Sequence, residues 1–235
     1  MSRFASAVRL DLLLQLRYGF YYAAIFVALL WAALLYPLPA AVLEIAAPFV
    51  VFTDLAVVGY YFIGGMVLFE KDEATLSALV TTPLRFREYL FSKLFTLTAL
   101  AVVLALAVVA VSYGVGFNAG LLVLGVILTS LVTLLVGFVV VTPFDSVSAY
   151  LIPSQLPMVV MALPLIHFFG VWESPLFYLL PTQGSLLLLG GAFDRDSLSS
   201  WQVLYAVSYG FAWVAGLGVL ANRAFERHIT TGKGG

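Results

Sequence analysis

The chain has 235 residues, 63% hydrophobic and 10% charged, with a mean hydropathy of +1.09. Soluble domains hold about 45–50% apolar and about 25% charged residues, so this composition is that of a membrane protein. Eleven Lys and Arg against 12 Asp and Glu give a net charge of -1, too balanced and sparse for a nucleic-acid footprint; no Cys and two His leave little for a metal site.

A helix rises about 1.5 Å per residue and the hydrocarbon core is about 30 Å thick, so a crossing needs about 20 mostly apolar residues. Six stretches qualify: 18–38, 47–69, 94–115, 119–141, 150–172 and 201–221. The expected fold is an all-α integral membrane protein of six transmembrane helices, one transmembrane domain over 1–235. The first stretch is too long for a signal-peptide core and is read as a retained helix. Arg3, Arg9, Arg17, Lys71, Arg85, Arg87, Lys93, Arg223, Arg227 and Lys233 fall on one side and Arg195 on the other. The positive-inside rule then puts both termini in the cytoplasm of a multi-pass cell-membrane protein. The cytoplasmic pieces 1–17, 70–93, 142–149 and 222–235 are all far shorter than a domain of about 100–150 residues, and no G-x-x-x-x-G-K-[ST] occurs. If this protein moves anything uphill, the energy comes from elsewhere.

In chain order, residues 2–17 place Phe4, Val8, Leu12 and Leu16 at four-residue intervals among Arg3, Arg9, Asp11, Gln15 and Arg17. The spacing predicts an interfacial helix with its leucines in lipid and its polar residues toward the cytosol. Tyr18, Tyr21 and Tyr22 then form half of an aromatic belt. In the second stretch, Asp54 is a carboxylate inside the membrane; it either faces a central cavity or reaches the outer interface.

The segment 70–93 carries most of the non-membrane signal. Glu70, Asp72 and Glu73 stand where a short helix would begin, and Leu76, Leu79 and Val80 follow at helical spacing. Thr82-Pro83 reads as a cap and a restart into the third span. A helix–turn–helix with an apolar ridge suits a partner at the membrane surface; an interfacial hairpin with Lys71, Arg85 and Arg87 on anionic headgroups accounts for the same pattern.

The fifth stretch holds Pro153, Pro157, Pro164 and His167, which share a face at about 100° per residue. Each proline frees a carbonyl that must be satisfied within the membrane, so this face is expected to point into the assembly, either as a substrate path or gate or as a kinked packing surface. Asp145 reads as a turn residue between spans four and five. In span six, Ser208, Ala212 and Gly216, and Ala206 with Gly210, make small-residue stripes for close helix approach. The outer segment 173–200 is too short to span and too apolar for a solvated loop, which predicts short re-entrant helices before span six.

Asp72-Glu73-Ala74-Thr75-Leu76, Thr82-Pro83-Leu84, Arg87-Glu88-Tyr89-Leu90 and Lys93 together resemble the signature loop of the type-2 ABC exporter permease family, with Ala74 and Ser92 standing where that family often has Gly. Tyr178-Leu179-Leu180-Pro181-Thr182 resembles the family's outer segment. Span order agrees over nearly the whole chain, and fluoroquinolone-type exporters are nearest in general look. The resemblance implies a non-enzymatic permease subunit for a hydrophobic or amphipathic drug or lipid. Residues 1–17 become the elbow helix, 70–93 a coupling helix docked on a separate ABC ATPase subunit, and 173–200 an outer cap. Glu70, Asp72, Glu73, Thr75, Leu76 and Leu79 would carry the coupling contact, and Arg85 and Arg87 would brace its return. Asp54, Pro153, Pro157, Pro164 and His167 would line the path. No cofactor is expected on this chain, ATP and Mg belonging to the ATPase subunit; the other partners are a second permease copy or homologous chain and the lipid bilayer.

A secondary transporter would show paired repeats and midplane ionisable residues. An intramembrane protease would need a Ser–His pair or two intramembrane Asp, and Asp54 and Asp145 fall at opposite faces. A scaffold protein would lack an ATPase partner.

Overall fold

A computed structural model describes residues 3–73, 86–193 and 198–230. All regular structure among them is helical: α1 Arg3–Arg17, α2 Phe20–Leu35, α3 Ala40–Asp72, α4 Phe86–Tyr113, α5 Ala119–Val141, α6 Val147–Phe168, α7 Gln183–Gly191 and α8 Ser200–Phe225. A 3-10 turn covers Pro175–Leu179, and π-helical turns interrupt α3 at Leu55–Gly59 and extend α8 over Glu226–Thr230. Five helices (α3, α4, α5, α6 and α8) are long and apolar enough to cross a membrane; α1 and α2, bent by 67°, make a sixth crossing if taken together.

The first crossing is shorter than its sequence suggests. Gly19 takes φ 79°, a left-handed conformation that glycine adopts without steric cost, and there α1 folds away from α2. The 16 residues of α2 span about 24 Å, less than the apolar run 18–38 would allow. Pro39, at φ -65° and ψ 151°, sets the entry to the next helix, and Ala40, Ala41, Leu43 and Glu44 favour helix strongly enough to start α3 earlier than expected. The residues 40–46, expected as outer loop, are therefore helical, and the 33 residues of α3 reach about 50 Å.

α5 is the central helix: 67% of its crossing is buried, against 22% for α6 and 17% for α8. Its contact with α3 is made backbone to backbone. A Cβ on Gly137 would stand 2.7 Å from the Tyr60 carbonyl oxygen, so only glycine permits this approach. One core, at the end that carries residues 70–93, is built from Tyr60, Met66, Phe138, Tyr150, Leu217 and Phe225. A second, at the opposite end, joins Ala47, Phe52, Val126, Leu189 and Phe193.

The outer segment forms short helices, as its composition predicts, and α7 is buried against α5 and α8. Leu128, Leu188 and Ala206 pack together there at 0–1% exposure. Of the small-residue stripes on α8, Ala206 and Gly210 serve this packing within the chain, whereas Ser208, Ala212 and Gly216 are exposed. The expected coupling helix falls largely in 74–85, outside the described residues.

Candidate functional site

Three charged side chains meet in the protein interior at the end that bears the 70–93 segment. Lys93 is 0% exposed, Glu70 1% and Asp11 3%. Lys93 Nζ donates to Asp11 Oδ1 at 2.7 Å and also to Glu70 Oε1. The remaining carboxylate oxygens have donors too: the Tyr89 hydroxyl reaches Glu70 Oε2 at 2.6 Å, and the Ser92 hydroxyl donates to Asp11 Oδ2. Nearby, Gln15 Nε2 donates to Thr96 Oγ1 at 2.7 Å, and the Tyr21 hydroxyl donates to Gln15 Oε1 at 3.0 Å. Buried charge is tolerable only when paired and fully hydrogen-bonded, and this cluster meets both conditions.

The cluster corrects the reading of α1. Leu12, Leu13 and Leu16 do face outward at 43–56% exposure, while Leu14 is buried. Asp11 and Gln15, however, point into the protein rather than to the cytosol, because Lys93 and Thr96 offer them partners that water would otherwise supply. α1 is thereby fixed to the start of α4.

The same network places the coupling candidates. Glu70 offers no surface charge, since its carboxylate is held by Lys93 and Tyr89. Glu73 accepts from the Tyr18 hydroxyl at 2.9 Å and lies 3.2 Å from the Arg17 guanidinium, while Asp72 is exposed. Lys71 donates to the carbonyls of Thr142 and Phe144, both at 2.7 Å, and lies 3.4 Å from Asp145, tying the end of α3 to the turn between α5 and α6. Arg87 is exposed on α4. Thr75, Leu76, Leu79 and Arg85 lie outside the described residues. Both feet of the 74–85 segment are thus anchored, one by Glu70, Lys71 and Glu73, the other by Tyr89, Ser92 and Lys93.

Asp54 lies immediately before the π-helical turn of α3, a break of the kind often found at functional positions. Its Oδ1 accepts from the Trp31 indole at 3.1 Å, and no cation among the described residues pairs with it. It borders a cavity of about 40 Å³ lined also by Phe62, Leu97, Leu104 and Ser130, and a smaller one of about 20 Å³ beside Trp31. At about 10–15 Å³ of such volume per water these hold a few waters, and they do not hold a drug. The hydroxyls of Ser130 and Thr53 are buried without a partner among the described residues.

The prolines of α6 do not form one buried face within this chain. Pro153 is exposed, Pro157 half-buried and Pro164 buried, so cover for the first two would come from outside the chain. His167 borders a separate cavity of about 310 Å³ with Gly170, Glu173 and Gln183. Its ring lies 5.7 Å from that of Phe177 and 6.0 Å from Tyr178. His167 and Asp54 line different cavities.

Sequence reasoning missed Asp11, Gln15 and Tyr89 as members of one cluster. The available signal was a carboxylate and an amide four residues apart on an otherwise apolar helix face.

A model of the fluoroquinolones export permease protein family matches residues 2–233. Two relatives, both named fluoroquinolones export permease protein, come from Mycobacterium tuberculosis strains CDC 1551 / Oshkosh and ATCC 25618 / H37Rv. Each is 44% identical over 235 residues, covering 100% of this chain and 99% of the relative. No solved structure matches the chain.

Proposed function

This chain belongs to the fluoroquinolones export permease protein family, and from that premise we propose that it is the membrane subunit of an ATP-driven ABC exporter for amphipathic drugs, fluoroquinolones among them. The observation that carries the reading is the full-length match to export permeases in a chain without a phosphate-binding loop of its own. Both termini and residues 70–93 face the cytoplasm, and a separate ATPase subunit docks on the 74–85 segment. Asp72 and the apolar ridge of Leu76 and Leu79 make the contact, while the anchored feet deliver its displacement to α3 and α4 as rigid bodies. A second permease chain covers the exposed face of α6, and the path runs past Asp54 toward the α6 prolines and His167.

Anchored feet support this reading on physical grounds. A lever works only if its mounts are stiffer than its load, and three interlocked buried charges resist local opening far better than a surface loop does. The test is Leu76→Asp combined with Leu79→Asp. Insertion and expression are expected to stay normal, while drug efflux and drug-stimulated ATP hydrolysis by the co-purified complex disappear. Wild-type efflux from that variant would remove the docking role, and purification without an ATPase of a particle that still pumps would remove the exporter assignment.

A further inference from the structure

The start of α4 and the end of α8 lie side by side, with the Phe86 and Phe225 rings 4.4 Å apart. Beside this contact is a cavity of about 520 Å³, within the range of about 300–1,000 Å³ typical of small-molecule sites. Phe91 and Leu94 of α4 and Gly218 and Val219 of α8 line its apolar length. Phe91 is 60% exposed, Val219 is 54% exposed, and a Cβ on Gly218 would meet nothing within 4 Å, so the groove opens sideways, toward the bilayer. At its mouth stand Arg87 and Arg223, neither in a salt bridge among the described residues. One carboxylate, Glu226, shares the mouth and accepts from Asn222 Nδ2 at 2.8 Å, which leaves the lining net positive.

We propose that this groove between α4 and α8 is a binding site for an anionic phospholipid, its phosphate held by Arg87 and Arg223 and an acyl chain laid along Phe91, Leu94, Gly218 and Val219. An apolar trough in a membrane-spanning surface is filled by a lipid tail, there being no water at that depth to fill it. The guanidinium pair selects which lipid. Arginine offers a planar fork of donors that matches phosphate oxygens, and basic pockets between helices on the cytoplasmic side recognise anionic headgroups. The site rests on the proposed topology only for its assignment to the inner leaflet.

The experiment uses the purified full-length chain, exchanged into mixed micelles containing equal phosphatidylglycerol and phosphatidylethanolamine, with retained lipids counted by native mass spectrometry. The wild type is expected to retain phosphatidylglycerol preferentially. Arg87→Gln with Arg223→Gln is expected to lower that preference by about 30-fold, two charges at about 1 kcal/mol each. Arg87→Lys with Arg223→Lys is expected to keep most of it. Both arginines are exposed, and an unchanged elution profile and helical content would show that the variants fold. A preference unchanged in the Gln variant, or lost equally in the Lys variant, overturns the site. So does a disulfide-linked dimer of Val219→Cys that has shed its lipid, since a second copy would then occupy the groove. Labelling of Arg87→Cys from the outer side would reject the topology while leaving the lipid preference standing, which separates the two failures.

Discussion

α3 carries two carboxylates, Asp54 and Glu70, whose surroundings differ. Glu70 is enclosed by Lys93 and Tyr89, with Asp11 on the far side of the same ammonium. Among the described residues Asp54 has one indole hydrogen bond, two small cavities and unpartnered hydroxyls nearby. A satisfied buried ion cluster fixes the arrangement of the helices that contribute to it. A carboxylate with spare acceptor capacity beside a void can accept a further donor, which is why the proposed path runs past it.

The largest expected effect comes from breaking the enclosed member of the pair. Lys93→Met strands two buried carboxylates and is expected to cost about 3–5 kcal/mol, measured as a loss of thermal stability of the purified protein. Adding Asp11→Asn and Glu70→Gln to the same chain should restore most of it, since neutralising every member removes the stranded charge. A single variant as stable as the wild type would mean that the cluster does not lock α1, α3 and α4 together. Next in size, Gly137→Ala pushes a methyl group against the Tyr60 carbonyl and should cost about 1–3 kcal/mol by prising α3 from α5. Unchanged unfolding would show that the two helices separate freely.

Asp54→Asn sharpens the comparison from the other side. The amide oxygen still accepts from Trp31, so stability is expected to hold or rise slightly, while drug efflux falls. Normal efflux with normal stability would make Asp54 a packing residue. The smallest effect belongs to Arg17→Ala. That side chain is 68% exposed in its pairing with Glu73, and surface pairs contribute about 0–1 kcal/mol, so the melting curve should scarcely move.

Crossings and helical class were legible because hydrophobicity is a local property, read directly from runs such as 119–141, whose bounds α5 reproduces. The ion cluster was not legible. Asp11 and Lys93 are 82 residues apart, and nothing in either neighbourhood specifies the other. Lys93 stood out as the positive residue entering span three, but a positive-inside argument counts charges without asking what they touch. The resemblance groups Glu70 with Asp72 and Glu73 as docking residues of one acidic run. Helical geometry separates them: Asp72 lies about 200° around the helix from Glu70 and reaches the surface. The early start of α3 was hidden by Pro39 and Pro48, which punctuate a sequence without ending every helix that contains one. His167 and Asp54 looked alike as rare polar residues in apolar stretches, and only three dimensions assign them to separate cavities.

The π-helical turn at Leu55–Gly59 lies between the two carboxylates and sets their relative phase. A π turn accommodates an extra residue, so the stretch above it is clocked relative to the stretch below. Deleting one residue there would let the helix run regular with both carboxylates near their present phase, whereas winding the same residues as regular α-helix would swivel Asp54 by about 100° while Glu70 stayed in place. Its oxygen would swing off the Trp31 indole, and the notch beside it would close or open on another side. A single inserted position thus acts as the setting screw that aims one half of a long rod independently of the other.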